Sequence, residues 1–236
     1  MILDHFHFDA STSTVLLAFA ACLLSFNWGM YRFFTEPGGS NSGIDTIKLL
    51  GTSLGLASLI GIPLFGVVSP VTGASGLLLC GLSLALFWLA VLSNRQRPLS
   101  FAFSDDEPRH LVCSGPYRWI RHPFYSAYLL AWLAAPVATM QPLMLVPLLV
   151  MAAIYVAAAR VEERKFEASV LAAAYARYRT RTGMFVPRRP GATAPVETRT
   201  FRHQSGSPAL LSRAGNPEGP NATGVADETA NKGHRQ

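Results

Sequence analysis

The chain has 236 residues, half of them apolar and only 14% charged, against roughly 25% in ordinary soluble domains. Its 20 Lys and Arg exceed its 14 Asp and Glu, giving a formal net charge of +6. The apolar residues gather into long stretches that are apolar all round, which excludes a soluble helical protein with polar outer faces.

Residues 1–14 carry no Lys or Arg and read as a short external leader. No basic residue precedes Arg32, so the first hydrophobic stretch, Val15–Phe34, reads as a retained helix rather than a cleaved signal. Glu36-Pro37-Gly38-Gly39-Ser40-Asn41-Ser42-Gly43 is turn chemistry within a loop, Thr35–Ile44. A second span, Leu49–Val68, is joined to a third, Gly76–Leu92, by a tight connection at Ser69–Gly73. All three approach the roughly 20 apolar helical residues that a hydrocarbon core of about 30 Å requires. A long polar loop, residues 93–121, follows. Tyr125–Thr139 and Leu143–Ala159 are shorter, and only Met140, Gln141 and Pro142 separate them, which predicts a helical hairpin. Arg160–Arg181 is rich in Ala, Glu and Arg and predicts a helix along the membrane interface. On it Phe166, Val170, Ala174 and Tyr178 would share one face. Gly183 and Pro187 mark its end. From Arg188 onward the composition turns to Pro, Gly, Ser, Asn and Thr, which predicts disorder.

The fold class expected is therefore an all-α integral membrane protein with about five transmembrane helices, including a C-terminal hairpin, then an interfacial helix and a disordered tail. Its domains divide as 1–93, three N-terminal helices; 94–187, a core of loop, hairpin and interfacial helix; and 188–236, the tail. Basic residues set the orientation. Arg32 and Lys48 lie in the first loop, five Arg lie in the third, and thirteen Lys and Arg follow Ala159, while the leader, the second loop and the hairpin turn have none. This alternation puts the N-terminus outside and the C-terminus in the cytoplasm. It also reads the net charge as topology and contact with the lipid bilayer, with no nucleic acid as partner. Cys22 and Cys80 fall inside spans as small hydrophobes, Cys113 lies in the cytoplasmic loop, and no metal-ligand spacing appears.

Polar residues gather in two places. One is Ser114-Gly115-Pro116-Tyr117-Arg118-Trp119-Ile120-Arg121-His122-Pro123-Phe124-Tyr125, and the other is Arg160-Val161-Glu162-Glu163-Arg164. A chain that enters the membrane near Pro123 and returns at Arg160 brings the two together. Pro123 suits the first helical turn, with His122 at the N-cap, and the free N–H groups there favour an anion. Arg118 and Arg121 offer paired donors to a carboxylate or phosphate. Tyr117, Trp119 and Tyr125 offer aromatic faces to a cation. Glu162 and Glu163 suit a cationic amine or act as base. The same Arg, Trp and Tyr residues also suit interface anchors. Together the groups fit a zwitterionic, partly aromatic ligand with its own positive charge.

Gly115-Pro116-Tyr117-Arg118-x-x-Arg121-His122-Pro123-x-Tyr125, followed by Glu162-Glu163, resembles the isoprenylcysteine carboxyl methyltransferase family, within a wider group that includes the phospholipid N-methyltransferases. The resemblance continues through Phe166, Tyr175, Tyr178 and Met184-Phe185-Val186-Pro187, with Ala127 where the family often has Gly. It implies an S-adenosylmethionine-dependent methyltransferase active at the cytoplasmic face on a lipophilic acceptor, an isoprenylcysteine-type carboxylate foremost. It further implies that Gly115, Pro116, Tyr117, Arg121, His122, Pro123, Tyr125 and Glu162 border the cofactor. Catalytic roles would fall to Glu163, Glu162 and Arg121, with no metal. Alternative acceptors are a phospholipid or a small thiol. Alternative activities are an NADPH-dependent sterol-type reductase or a non-enzymatic transport or scaffold protein. The few polar groups inside the spans, Asn27 among them, speak against transport.

Overall fold

Two of the helices start where the sequence supplies a side-chain cap. In the computed structural model, which describes residues 6–35, 42–94, 99–100 and 110–188, helix α1 spans Ala10–Phe33. The Asp9 carboxylate accepts from the backbone N–H groups of Ser11 and Thr12 and from the Thr12 hydroxyl, satisfying the orphan donors of the first turn. Helix α2 covers Ser42–Phe65 and α3 covers Pro70–Ser93. Ser69 forms a reciprocal capping box with Thr72, and Pro70 occupies the first turn. The expected connection at Ser69–Gly73 is thus corrected: its residues are the cap and first turn of α3, and the link is residues 66–69.

Helix α4 runs Pro123–Thr139, with His122 at its N-cap as expected. It ends at Met140, whose φ of +52° is a left-handed cap. A 3₁₀ turn, Pro142–Met144, leads into α5, Leu145–Glu167, and α6 spans Ala172–Arg181. Four of these helices, α1, α2, α3 and α5 with the turn before it, are long and apolar enough to cross a membrane. Helix α4, at 17 residues, is the short limb of the hairpin. The chain is an all-α integral membrane protein.

One expectation fails. No interfacial helix starts at Arg160, because α5 continues through Glu162 and Glu163 to Glu167. The break comes at Ala168–Leu171, where the Ser169 hydroxyl donates to the Phe166 carbonyl and accepts from the Leu171 N–H. Val170 projects from this turn, 98% exposed, so it shares no face with Phe166, Ala174 and Tyr178. Phe166 instead stacks on Tyr175, with centroids 4.8 Å apart. The expected tail falls outside the described residues, apart from Arg188. Contacts divide the chain after Thr193, and every described residue lies in the first unit.

The core lies where α3 packs along α4, with α1 against α3. In lipid there is no hydrophobic drive between helices, so close approach and hydrogen bonds hold them. Here α4 presents Ala127, Ala131, Ala134, Ala135 and Ala138, all buried, and the buried Ser83 hydroxyl donates to the Ala127 carbonyl at 2.7 Å. Gly76 of α3 lies so near α4 that an added Cβ would fall 2.9 Å from the Ala138 Cβ. Gly76→Val is therefore expected to cost about 1–3 kcal/mol through forced separation of the helices. The check is detergent unfolding compared with Gly81→Val, where an added Cβ meets nothing within 4 Å.

Candidate active site

His122 and Pro123 start α4 where α5 ends, so the two polar clusters meet. Arg121 Nε donates to Glu163 Oε1 at 2.8 Å. The Arg121 guanidinium also caps the end of α6, donating through Nη1 to the carbonyls of Thr182 and Arg179. The His122 ring stands between both glutamates, with Nδ1 3.2 Å from Glu162 Oε2 and Nε2 3.3 Å from Glu163 Oε1. The Tyr125 hydroxyl donates to Glu162 Oε1 at 2.6 Å. The result is a continuous row of alternating charge from Glu162 through His122 and Glu163 to Arg121.

The segment after α6 closes this row from behind. The N–H groups of Arg121 and His122 donate to the carbonyls of Gly183 and Met184, and the Gly183 N–H donates to the Trp119 carbonyl. The Ser126 hydroxyl donates to the Phe185 carbonyl at 2.7 Å. Tyr178 reaches across to donate to the Tyr117 carbonyl, also at 2.7 Å.

Burial alone would strip the proton from His122, but the hydrogen bonds and charges of Glu162 and Glu163 outweigh it, so its pKa is raised above 6.5. A protonated ring has donors on both nitrogens, which the two carboxylates require. The sign follows: the native state holds this proton more tightly than the unfolded chain. Its stabilising contribution is complete below pH 6.5 and is lost as pH rises through the raised value. The groups facing the ring are Glu162 and Glu163 of α5, Arg121 beside Glu163, and Tyr125 of α4. The unfolding midpoint in detergent is expected to fall as pH climbs above 6.5, and this slope should be absent in His122→Asn.

A cavity of about 650 Å³ opens in front of the row. That volume is within the range of small-molecule sites, about 300–1,000 Å³. Its wall includes Tyr117, Arg121, His122, Pro123, Tyr125 and Glu162, six residues singled out in the sequence. Glu163 is absent from that wall and lies behind His122, with its side chain 11% exposed against 29% for Glu162. Gly115 and Pro116 also stand back from it. They form a 3₁₀ turn against the end of α3, where a Cβ on Gly115 would fall 2.0 Å from the Ser93 Oγ. That turn holds Tyr117, whose hydroxyl accepts from Asn94 Nδ2 at 2.9 Å. Burial raises the Tyr117 pKa well beyond the ordinary phenol value, so it stays neutral. Arg118 lies over the exposed Trp119 ring, outside the cavity wall.

Sequence reasoning missed the opposite wall. Ala20, Leu23, Leu24, Asn27, Met30 and Tyr31 of α1 line the cavity, as do Lys48, Gly51, Thr52, Gly55 and Leu59 of α2. Tyr128, Trp132, Met151 and Tyr155 line its deeper part. Their signal was spacing. The α1 positions recur every three or four residues, Tyr128 follows Tyr125 by three, and Tyr155 precedes Glu162 by seven. Lining positions on α5 run from Met151 to Glu162, a rise of about 16 Å, or half of a bilayer core of about 30 Å. The polar groups lie at one end and Trp132, Met151 and Leu59 at the other.

The hairpin and the polar row at its mouth fall inside a segment that a known family model matches. Residues 68–174 match the family model for phospholipid methyltransferases. Over that segment, just under half of the chain, the protein is similar to the membrane methyltransferases of this family. No curated protein matches the chain. The matched segment covers α3, α4, α5 and the start of α6, so the α1 and α2 wall of the cavity and the closing segment at Gly183–Phe185 lie outside it.

Proposed function

We propose that this membrane methyltransferase draws its methyl group from S-adenosylmethionine and delivers it to a lipophilic acceptor, an isoprenylcysteine-type carboxylate foremost. The observation that carries the reading is the continuity of the cavity, which joins a charged mouth to an apolar floor about 16 Å away by helix rise. The charged end is read as cytoplasmic, from the placement of the basic residues.

The donor set suits the cofactor. Glu162, 29% exposed at the mouth, takes a cationic amine. The first-turn N–H groups of α4, together with the lining edge of Arg121, take a carboxylate. Tyr117 and Tyr125 frame an aromatic ring. A cofactor held there would supply an electrophilic methyl group to the acceptor's lone pair, with the C–S bonding pair left on sulfur. Glu163 and Arg121 hold His122 in place, and His122 with Tyr125 holds Glu162. Leu23, Leu59, Trp132 and Met151 exclude water and lodge the apolar tail, which fixes the reacting atoms in line.

The acceptor preference follows from the same contacts. Glu162 is the acid among the described lining residues, and Tyr125 and His122 engage its two oxygens. A carboxylate acceptor needs no base, whereas an ammonium acceptor must first lose a proton. The family match favours a phospholipid amine as the second reading. Reconstituted protein, labelled S-adenosylmethionine and either a farnesylated cysteine with a free carboxylate or phosphatidylethanolamine vesicles decide between them. Base-labile label on the cysteine ester supports the first, and label on the headgroup amine supports the second. Folded protein that labels neither overturns both.

A further inference from the structure

Three tyrosines separate the charged mouth of the cavity from its apolar floor. Tyr125 and Tyr128 come from α4 and Tyr155 from α5, and all three line the cavity. Their rings form a closed cluster, with centroids 5.2 Å apart for Tyr125 and Tyr155, 5.6 Å for Tyr128 and Tyr155, and 6.4 Å for Tyr125 and Tyr128. Tyr128 lies about 7 Å into the bundle from Pro123, and Tyr155 about 10 Å from Glu162, by helix rise. Two of the hydroxyls are committed: Tyr125 donates to Glu162, and Tyr155 accepts from Trp132 Nε1 at 3.3 Å.

A positive charge at this depth meets no carboxylate among the described lining residues, since Glu162 stands at the mouth. What it meets instead is aromatic ring. The negative faces of such rings stabilise a cation, and most strongly where water is excluded. A neutral sulfur gains no comparable attraction.

We propose that Tyr128 and Tyr155, with Tyr125, form a wall that reads the charge of the cofactor's sulfur, holding the sulfonium of S-adenosylmethionine in preference to the neutral thioether. This rests on the reading of the cavity as an S-adenosylmethionine site. Methyl transfer breaks the S–CH₃ bond, the bonding pair stays on sulfur, and its positive charge disappears. The wall thereby loses its hold on the spent cofactor at the moment of reaction, which favours exchange for a fresh molecule.

The test is calorimetric affinity for S-adenosylmethionine and for S-adenosylhomocysteine, using the full chain in lipid nanodiscs. The wild type is compared with Tyr155→Phe, Tyr155→Leu, Tyr128→Phe and Tyr128→Leu. Cation–π attraction corresponds to between about twofold and thirtyfold in affinity. The ratio of the two affinities should therefore shift against S-adenosylmethionine by that much in the leucine variants and hold in the phenylalanine variants, which keep the ring. Tyr128 is part-exposed, so its variants give a readout even if Tyr155→Leu fails to fold. Equal loss of both affinities, with the ratio unchanged, overturns the proposal and leaves the rings as packing. A wild type that binds neither ligand overturns the cofactor reading itself.

Discussion

Glu163→Ala is expected to destabilise the protein by about 3–5 kcal/mol, the cost of leaving a buried charge without its partner. The Arg121 and Glu163 side chains are 10% and 11% exposed, and Glu163 Oε1 serves both Arg121 Nε and His122 Nε2. Removing that carboxylate strands the guanidinium and takes one of two partners from the protonated ring. The effect reaches further than the pair, because Arg121 also caps α6 through the carbonyls of Thr182 and Arg179. Loosening it frees the Gly183–Phe185 segment that backs the site. Arg121→Met combined with Glu163→Leu should cost less than Glu163→Ala alone, since apolar replacement of both partners strands no guanidinium and leaves His122 its Glu162 partner. Denaturant unfolding of the three proteins in detergent checks the order. Equal stability of Glu163→Ala and the wild type would show that the pair carries no weight.

Glu162→Gln should show the opposite pattern. Its carboxylate faces the cavity, part-exposed, so the fold has less to lose. Its contacts with His122 and Tyr125 are charge-assisted on the carboxylate side, and on our reading it also meets the amine of the cofactor. A charged hydrogen bond contributes about 1.5–3 kcal/mol, so affinity for S-adenosylmethionine should fall about 10- to 150-fold while the unfolding midpoint moves little. Binding titrations beside thermal unfolding separate the two glutamates. The adjacent residues should behave as a ligand group and a structural group.

That separation marks the limit of what the sequence made legible. The meeting of the Arg121-His122-Pro123 and Glu162-Glu163 clusters followed from the hairpin, and the His122 cap followed from Pro123. Which glutamate faces the cavity depends on the rotation of α5, where neighbouring residues stand about 100° apart, and sequence alone does not fix that angle. The break after Glu167 was obscured because Ala, Glu and Arg favour helix on both sides, while a single Ser169 supplies the turn. Helices α1 and α2 hid their role for another reason. Lipid and an apolar cavity ask for the same side chains, so Leu23 and Leu59 read no differently from residues that meet lipid. Only Asn27, Thr52 and Lys48 on those faces stand out, and they become informative once their common spacing is seen. The parallel pairing of Ile120 with Gly183 is a backbone event with no side-chain signature beyond the glycine.

Whether the cavity between the α1–α2 wall and the α4–α5 hairpin holds S-adenosylmethionine is read from ligand-dependent stability of the full chain. A ligand that binds only the folded state at 100 times its Kd adds about 2.7 kcal/mol. A saturable rise in unfolding midpoint with S-adenosylmethionine is expected, strongly reduced in Glu162→Gln. A midpoint that stays flat at every concentration, in protein shown to be folded, would contradict that binding.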